Sequence, residues 1–242
     1  MLVPSEITLF IPYKADTERL SVTAVWQNMG GQVIQLDRFW EKPVALPTQK
    51  IAIYGNDTFS LVVAQLFALQ LISPDNFLLT KLSPIWTKRQ IHTQSLESIT
   101  DNLFPAFIKS VVPKQFKAAV YQTKADLLTE TDGLAPDTQL LISEIVAIEA
   151  EARCFVLHHT LKDIAIYEGT TSLETGKDFI QDFLDNVPDL PETFVVDLGY
   201  SSIKGWFILE FNASWGAGLN GCDPEKVIEC IIAATINPSE FV

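Results

Sequence analysis

The stretch GWFILEFNASWGAGLNGCD, from Gly205 to Asp223, decides how this chain is read. Its first eight residues alternate as a β-strand should. Trp206, Ile208, Glu210 and Asn212 therefore share one face, and Phe207, Leu209 and Phe211 share the other. Both faces are apolar enough to be covered by the rest of the protein. A carboxylate on a covered face is unfavourable unless a cation or a metal pairs with it. After Asn212 the chain turns to small residues: Ala213, Ser214, Gly216, Ala217 and Gly218. The stretch is either a strand end marked by polar residues or a strand that delivers two oxygen ligands to a site.

The segment TFVVDLGY (193–200) carries a similar interruption, with Asp197 inside an apolar run. If 200–204 is a hairpin connection, the two strands are neighbours and Asp197 faces Glu210. Two acids and an amide converging from adjacent strands form a hard-oxygen set, suited to Mg²⁺ completed by water and phosphate oxygens. Either acid alone reads equally as the structural partner of a buried Arg or Lys. Upstream, Lys109 interrupts the strand-like FPAFIKSV and can place a point charge on a phosphate; a snorkelling surface lysine is the other reading. In LLISEIVAIEAEARCFVL (140–157), Glu144 follows a strand, and Glu151 and Arg153 share a face. A strand end of this kind can act as a hinge whose backbone reads an adenine edge. As a plain exposed cross-strand ion pair, Glu151 and Arg153 would contribute only ~0–1 kcal/mol.

The 242 residues suffice for one or two domains, and 48% hydrophobic content with a mean hydropathy of +0.19 argues against disorder. A net charge of −13 is opposite to that of a general nucleic-acid or anionic-membrane binder. Three cysteines, with no zinc-like spacing, read as reduced thiols rather than a disulfide framework. The N-terminus lacks the features of a signal peptide and no apolar run is long enough for a transmembrane helix, so a cytoplasmic location is expected. His92, His158 and His159 have no motif context.

Patterning sets further expectations. Residues 6–13, 32–36 and 50–54 read as strands. Residues 17–29 read as a helix with Thr17 as its N-cap, and 58–71 as a buried helix. Together they suggest a small open α/β domain. Residues 93–103 look like a polar-faced helix. Beyond them come strands at 104–112, 115–121, 139–148, 151–158, 161–167, 193–200 and 205–212. Helices are expected at 123–130, 175–187 and 223–235, the last capped by Asp223 with Pro224 in its first turn. This second part is mostly antiparallel β with flanking helices.

The order FIKSV, then LLISEIVAIEAEARCFVL, then VVDLGYSSIKGWFILEFNASWG resembles the ATP-grasp superfamily, and most of all a divergent clade named for two arginines and a lysine. The resemblance covers about residues 85–235. It implies an α+β class: an ATP-grasp domain at 81–242 whose two α+β lobes, with mostly antiparallel sheets, hold a nucleotide between them, preceded by a small Rossmann-like α/β domain at 1–80. Carried onto this chain, Lys109 would contact the nucleotide phosphates, and Ser143, Glu144, Ile145 and Val146 would form the adenine hinge. Glu151 and Arg153 form an E-x-R element, with Arg153 facing the transferred phosphate. Asp197, Glu210 and Asn212 would hold Mg²⁺. Arg89, in WTKRQIHT, resembles the basic residue that opens the module, and Lys117 takes the place of a phosphate-loop residue. One departure is plain: the segment SVVPKQFKAAVY (110–121) has no glycine where many relatives carry a glycine-bearing loop over the phosphates.

The family chemistry implied is an ATP-dependent carboxylate–amine ligase that forms an amide through an acyl-phosphate and releases ADP and phosphate. Its substrates would be small-molecule or peptide carboxylates and amines, with no nucleic acid or membrane partner and a homodimer as one open outcome. Two alternatives stand beside it: an ATP/Mg-binding module without turnover and an ATP-dependent phosphotransferase. Specificity is expected in the N-terminal domain and the loop after Asn212. Cys222, at the end of that loop, reads as a buried small residue or, less readily, a reactive thiol.

Overall fold

The computed structural model describes residues 3–42, 47 and 49–237. By internal contacts the chain divides into two units. Unit 1 takes Met1–Pro74, Ala150–Leu198 and Glu210–Val242; unit 2 takes Asp75–Glu149 and Gly199–Leu209.

In unit 1, β1 (Ile7–Pro12), β2 (Gln32–Leu36) and β3 (Lys50–Ile53) form a parallel sheet in the order β2-β1-β3. Helix α1 (Thr17–Asn28) joins β1 to β2, and α2 (Asp57–Phe67) follows β3. Asp16, rather than Thr17, caps α1: its carboxylate accepts from the Arg19 amide at 2.9 Å. An Asp one residue before the first helical turn already satisfies an orphan N–H, so Thr17 is drawn into the helix. Asn56 does the same for α2. The short β4 (Gln70–Leu71) pairs antiparallel with a late strand, Thr235–Ile236.

Unit 2 holds two one-turn helices, α3 (Leu78–Lys81) and α4 (Pro84–Thr87), and a sheet of β5 (Ile91–Ser95), β6 (Ala106–Ser110), β7 (Ala119–Tyr121) and β8 (Gln139–Ser143). Its order is β5-β8-β6-β7 and its ladders are antiparallel. Helix α5 (Lys124–Glu130) starts from a capping box of Thr123 and Asp126. The helix expected over 93–103 is not formed. Residues 91–95 pair with β8 in register, His92 opposite Ile142, and the rest coils into two short 3₁₀ turns. Ser98 bonds the Ser95 carbonyl through its hydroxyl, and Gln94 bonds the Ser98 carbonyl. Such local side-chain bonds compete with helix, and the unfilled edge of β8 settles the outcome. A compact core of Leu96, Ile99, Ala106, Ile108, Tyr121, Leu127, Leu140 and Ile142 lies beneath.

The remaining sheet has the order β10-β9-β11-β12, with β9 (Ala150–Leu157), β10 (Thr160–Gly169), β11 (Thr193–Ser201) and β12 (Gly205–Asn212). Helix α6 (Glu174–Asn186) precedes β11. Helix α7 (Pro224–Ala233), capped by Asp223, leads into β13 (Thr235–Ile236). The main core of unit 1 joins residues of β1 and α1 to Phe155, Leu157, Val195 and the apolar face of α7. Residues from both ends of the sequence thus share one core. Among the described residues no helix is long and apolar enough to cross a membrane.

Candidate active site

The central strand β11 carries Asp197 in a run that is buried from Thr193 to Gly199. Its neighbour β9 presents Arg153, and β12 presents Glu210 and Asn212. The Arg153 guanidinium grips Asp197 bidentately, Nε to Oδ1 at 2.8 Å and Nη2 to Oδ2 at 2.7 Å. Asp197 is only 1% exposed. The Asn212 amide donates from Nδ2 to Asp197 Oδ2 at 3.2 Å and to Glu210 Oε1 at 3.3 Å. Acid, acid and amide therefore meet on one patch, tied to a single arginine.

Electrostatics follow from this packing. Burial raises the Asp197 carboxyl above the ordinary range; Arg153 lowers it, while Glu210 and Glu151 raise it further. Burial disfavours the Arg153 charge, but the hydrogen bond and charge of Asp197 outweigh it and hold Arg153 above its usual value. Arg153 also donates from Nη1 to the Gly218 carbonyl at 2.9 Å. Among the described residues three of its five N–H groups are occupied, which leaves one on each terminal nitrogen. Beside it, Tyr167 donates its hydroxyl to Glu151, and the Tyr167 ring centroid lies 5.8 Å from the guanidinium carbon. Asp197 and Glu210 act on the guanidinium and Glu151 acts on Asp197, so carboxylates outnumber the one arginine in this patch.

The loop after Asn212 is held at six consecutive residues. The Gly55 amide donates to the Trp215 carbonyl at 3.0 Å, Arg19 to Gly216 at 3.4 Å, the Tyr54 hydroxyl to Ala217 at 2.8 Å and Arg153 to Gly218. Glu18 accepts from the Leu219 amide at 3.0 Å and the Asn220 amide at 2.8 Å. A Cβ on Gly218 would sit 2.4 Å from a Glu18 carboxylate oxygen, so a side chain there would push Glu18 off the two amides it holds. Cys222 is buried with its thiol on the Arg153 carbonyl at 3.4 Å, and burial pushes that thiol up to about 12. It is a packing residue there.

Unit 2 carries the other candidates. Arg89 is buried and donates to the Ser143 hydroxyl at 3.0 Å and to the carbonyls of Thr87 at 3.0 Å, Ile208 at 2.9 Å and Leu209 at 3.1 Å. Its guanidinium lies over the Phe207 ring, and burial lowers its pKa to about 10. Ser143 ends β8 and its hydroxyl also bonds the Glu144 carbonyl. Glu144 extends the β5–β8 pairing by one residue through Gln90; Ile145 is exposed and Val146 half-buried. Lys109 sits half-buried on β6 opposite Leu141, and Lys117 is exposed in the β6–β7 connection. In that connection Lys114 adopts φ +66, the left-handed conformation glycine favours.

The donor set Asp197, Glu210 and Asn212 fits a hard cation in kind: two carboxylates and an amide oxygen, with surplus negative charge around them. Among the described residues no group of three or more His, Cys, Asp and Glu side chains is arranged to hold a metal. Both oxygens of Asp197 are committed to Arg153, so a cation would rest first on Glu210 and the Asn212 amide oxygen. Sequence reasoning did not single out Tyr167, Glu18 or Tyr54. Tyr167 is the extra residue of a β-bulge between Ile166 and Glu168, a feature no alternation pattern announces.

The sequence matches a family model of the ATP-grasp domain over residues 86–230, more than half of the chain. That model is family 2 of the clade named for two arginines and a lysine. No curated protein matches it significantly by sequence. Solved structures share its fold at low identity. A D-alanine–D-alanine ligase from Bacillus anthracis complexed with ATP superimposes with TM-score 0.53 at 11% identity, covering 95% of this chain and 96% of that one. The macrocyclase MdnC from Microcystis aeruginosa MRC, bound with precursor peptide MdnA, gives 0.53 at 12%, covering 94% and 97%. The D-cycloserine synthetase DcsG gives 0.56 at 9%, covering 94% and 99%. With a mixed α+β architecture, antiparallel sheets and the family match over its central and C-terminal parts, the chain belongs to the ATP-grasp superfamily, in the second family of the two-arginine, one-lysine clade.

Proposed function

We propose that this protein is an ATP-dependent carboxylate–amine ligase that forms an amide through an acyl-phosphate. The observation that carries the reading is the Arg153–Asp197–Asn212–Glu210 network: a guanidinium with two N–H donors unpartnered among the described residues, next to hard-oxygen groups. In the first step a substrate carboxylate oxygen attacks the γ-phosphorus, the bond to the bridging β-oxygen breaks, and ADP leaves. In the second an amine nitrogen attacks the acyl carbon, the carbon–oxygen bond to phosphate breaks, and inorganic phosphate leaves as the nitrogen loses a proton. Little covalent work falls to the protein, whose task is positioning and charge neutralisation.

Mg²⁺ on Glu210 and Asn212, with Asp197 behind them, would neutralise phosphate oxygens. Arg153, oriented by Asp197, offers its two open N–H groups to the transferred phosphoryl or the acyl-phosphate. Lys109 supplies a point charge for the nucleotide phosphates, with Lys117 in the phosphate-loop role. Ser143 to Val146 offer backbone groups to the adenine edge. Arg89 adds a charge with no carboxylate partner among the described residues, which favours polyphosphate, while bracing Ile208 and Leu209. The named neighbours support substrates of this class, since they include a D-alanine–D-alanine ligase and an enzyme bound with a precursor peptide. Residues 1–80 would serve as the pre-ATP-grasp domain, and Glu18 and Tyr54, in the same unit as the loop after Asn212, brace that loop.

Glu210→Gln is expected to abolish carboxylate-dependent ADP release while the fold persists, and Asp197→Asn to abolish it at a cost in stability because Arg153 loses its counter-charge; unchanged turnover in either sinks the proposal. The glycine-free 110–121 segment favours a second reading, a nucleotide-binding module without turnover. Lys114 in the left-handed region weakens that reading, because the connection reaches a glycine-like backbone without glycine. ATP·Mg²⁺ at about 100 times Kd stabilises the fold by ~2.7 kcal/mol under either reading. Only the ligase then releases ADP.

A further inference from the structure

Three surroundings fix the Arg153 guanidinium. Asp197 takes one edge and the Gly218 carbonyl takes Nη1. The third is the Tyr167 ring, whose centroid lies 5.8 Å from the guanidinium carbon, within cation–π range. Ala165, paired with Arg153 across the ladder, is small and leaves that flank open to the ring. Tyr167 is the inserted residue of the β10 bulge, so Tyr167 and Glu168 together oppose Glu151. The Tyr167 hydroxyl donates to Glu151, which anchors the far end of the ring.

We propose that Tyr167 is a positioning residue for Arg153, its ring holding in a fixed direction the two N–H groups that have no partner among the described residues. This rests on the ligase reading for its consequence in turnover, though not for the geometry itself. The ring does the holding; the hydroxyl bond to Glu151 is an added tether that the packed ring can lose. Bulges are a means of re-aiming a side chain beside a site, and this one delivers an aromatic face to the guanidinium paired with Asp197. Without the ring, the guanidinium can swing about its pair with Asp197 toward Glu210 or Glu151.

The test compares Tyr167→Phe and Tyr167→Leu with wild type in two measurements. The first follows Nε–H exchange by ¹H–¹⁵N NMR in arginine-labelled protein; the chain has four arginines, so the signals are separable. Arg153 Nε–H is expected to exchange at least tenfold faster in Tyr167→Leu and within threefold of wild type in Tyr167→Phe. Arg89, bonded to Ser143 in the other unit, is the internal control and should not change. The second is ADP release with ATP·Mg²⁺: Tyr167→Leu should lose tenfold or more in kcat with KM for ATP unchanged, and Tyr167→Phe should stay within threefold. A Leu variant within twofold of wild type in Arg153 exchange overturns the proposal. So does a Phe variant as impaired as Leu, which remains decisive if the Leu variant does not fold. If wild type releases no ADP, the ligase reading fails while the exchange measurement still decides the role of Tyr167.

Discussion

Two buried arginines divide the electrostatics of this protein. Arg153 is matched by a buried carboxylate, Asp197, and its charge is stabilised. Arg89 is surrounded by neutral acceptors, three carbonyls and a hydroxyl, and burial lowers its pKa to about 10. The first arrangement is strong while both partners are present and fragile when one is lost. The second depends on many modest bonds and on no single counter-charge among the described residues. For function the two point in different directions. A charge already matched is held for orientation, whereas an unmatched one leaves a positive field for an anionic ligand.

Removing one partner separates the two cases most sharply. Arg153→Ala leaves Asp197 buried and unpaired, and should lower stability by about 3–5 kcal/mol in urea unfolding at pH 7. The double variant Arg153→Met/Asp197→Leu should recover most of that. The sign with pH is set by Asp197, whose folded-state pKa is already raised by burial and rises further without Arg153. A raised carboxyl favours the folded state at low pH and loses that contribution as pH climbs past the unfolded value. The deficit of Arg153→Ala should therefore be small near pH 4 and grow as the pH rises. A deficit independent of pH contradicts the pairing. Arg89→Met should cost less, about 2–3 kcal/mol, because it leaves carbonyls rather than a charge unpaired, and its deficit should stay flat from pH 5 to 8. Arg89→Lys should not restore it, since an ammonium cannot span four acceptors in a fixed fork.

Smaller effects probe the loop that Arg153 helps to hold. In Gly218→Ala the new methyl displaces Glu18 from the Leu219 and Asn220 amides. A loss of about 1–2 kcal/mol is expected, with faster amide exchange at those two residues as the local readout. Smallest of all is the thiol response. Burial pushes Cys222 and Cys230 up to about 12 and raises Cys154 well above its usual value. Folded protein at pH 8 should leave all three unreactive toward a disulfide reagent over minutes; rapid labelling of Cys222 would mark it as a working thiol.

How far the site could be read from sequence depends on the range of each contact. Strand alternation is local, so Glu210 and Asn212 on one face, with Asp197 one strand away, were legible. The requirement for a cation beside a covered carboxylate was legible too; that Arg153 meets it was not, because the ladder β9-β11 is not written in either strand. Glu18 lies 201 and 202 residues before the two amides it accepts from, and nothing near it hints at that. Tyr167 escaped because a bulge breaks the period on which the reading rests. The helix expected over 93–103 failed for a related reason: its polar spacing suits a helix, but the open edge of β8 offers it a ladder.

The most direct test of the account is carboxylate-dependent ADP release, with hydroxylamine present to trap an acyl-phosphate as a hydroxamate. Wild type and Glu210→Gln would be given ATP·Mg²⁺ with amino acids, peptides and a desalted cell extract. The account predicts ADP and hydroxamate from wild type and neither from Glu210→Gln. Nucleotide binding by wild type with no carboxylate-dependent ADP from any of these sources would contradict it.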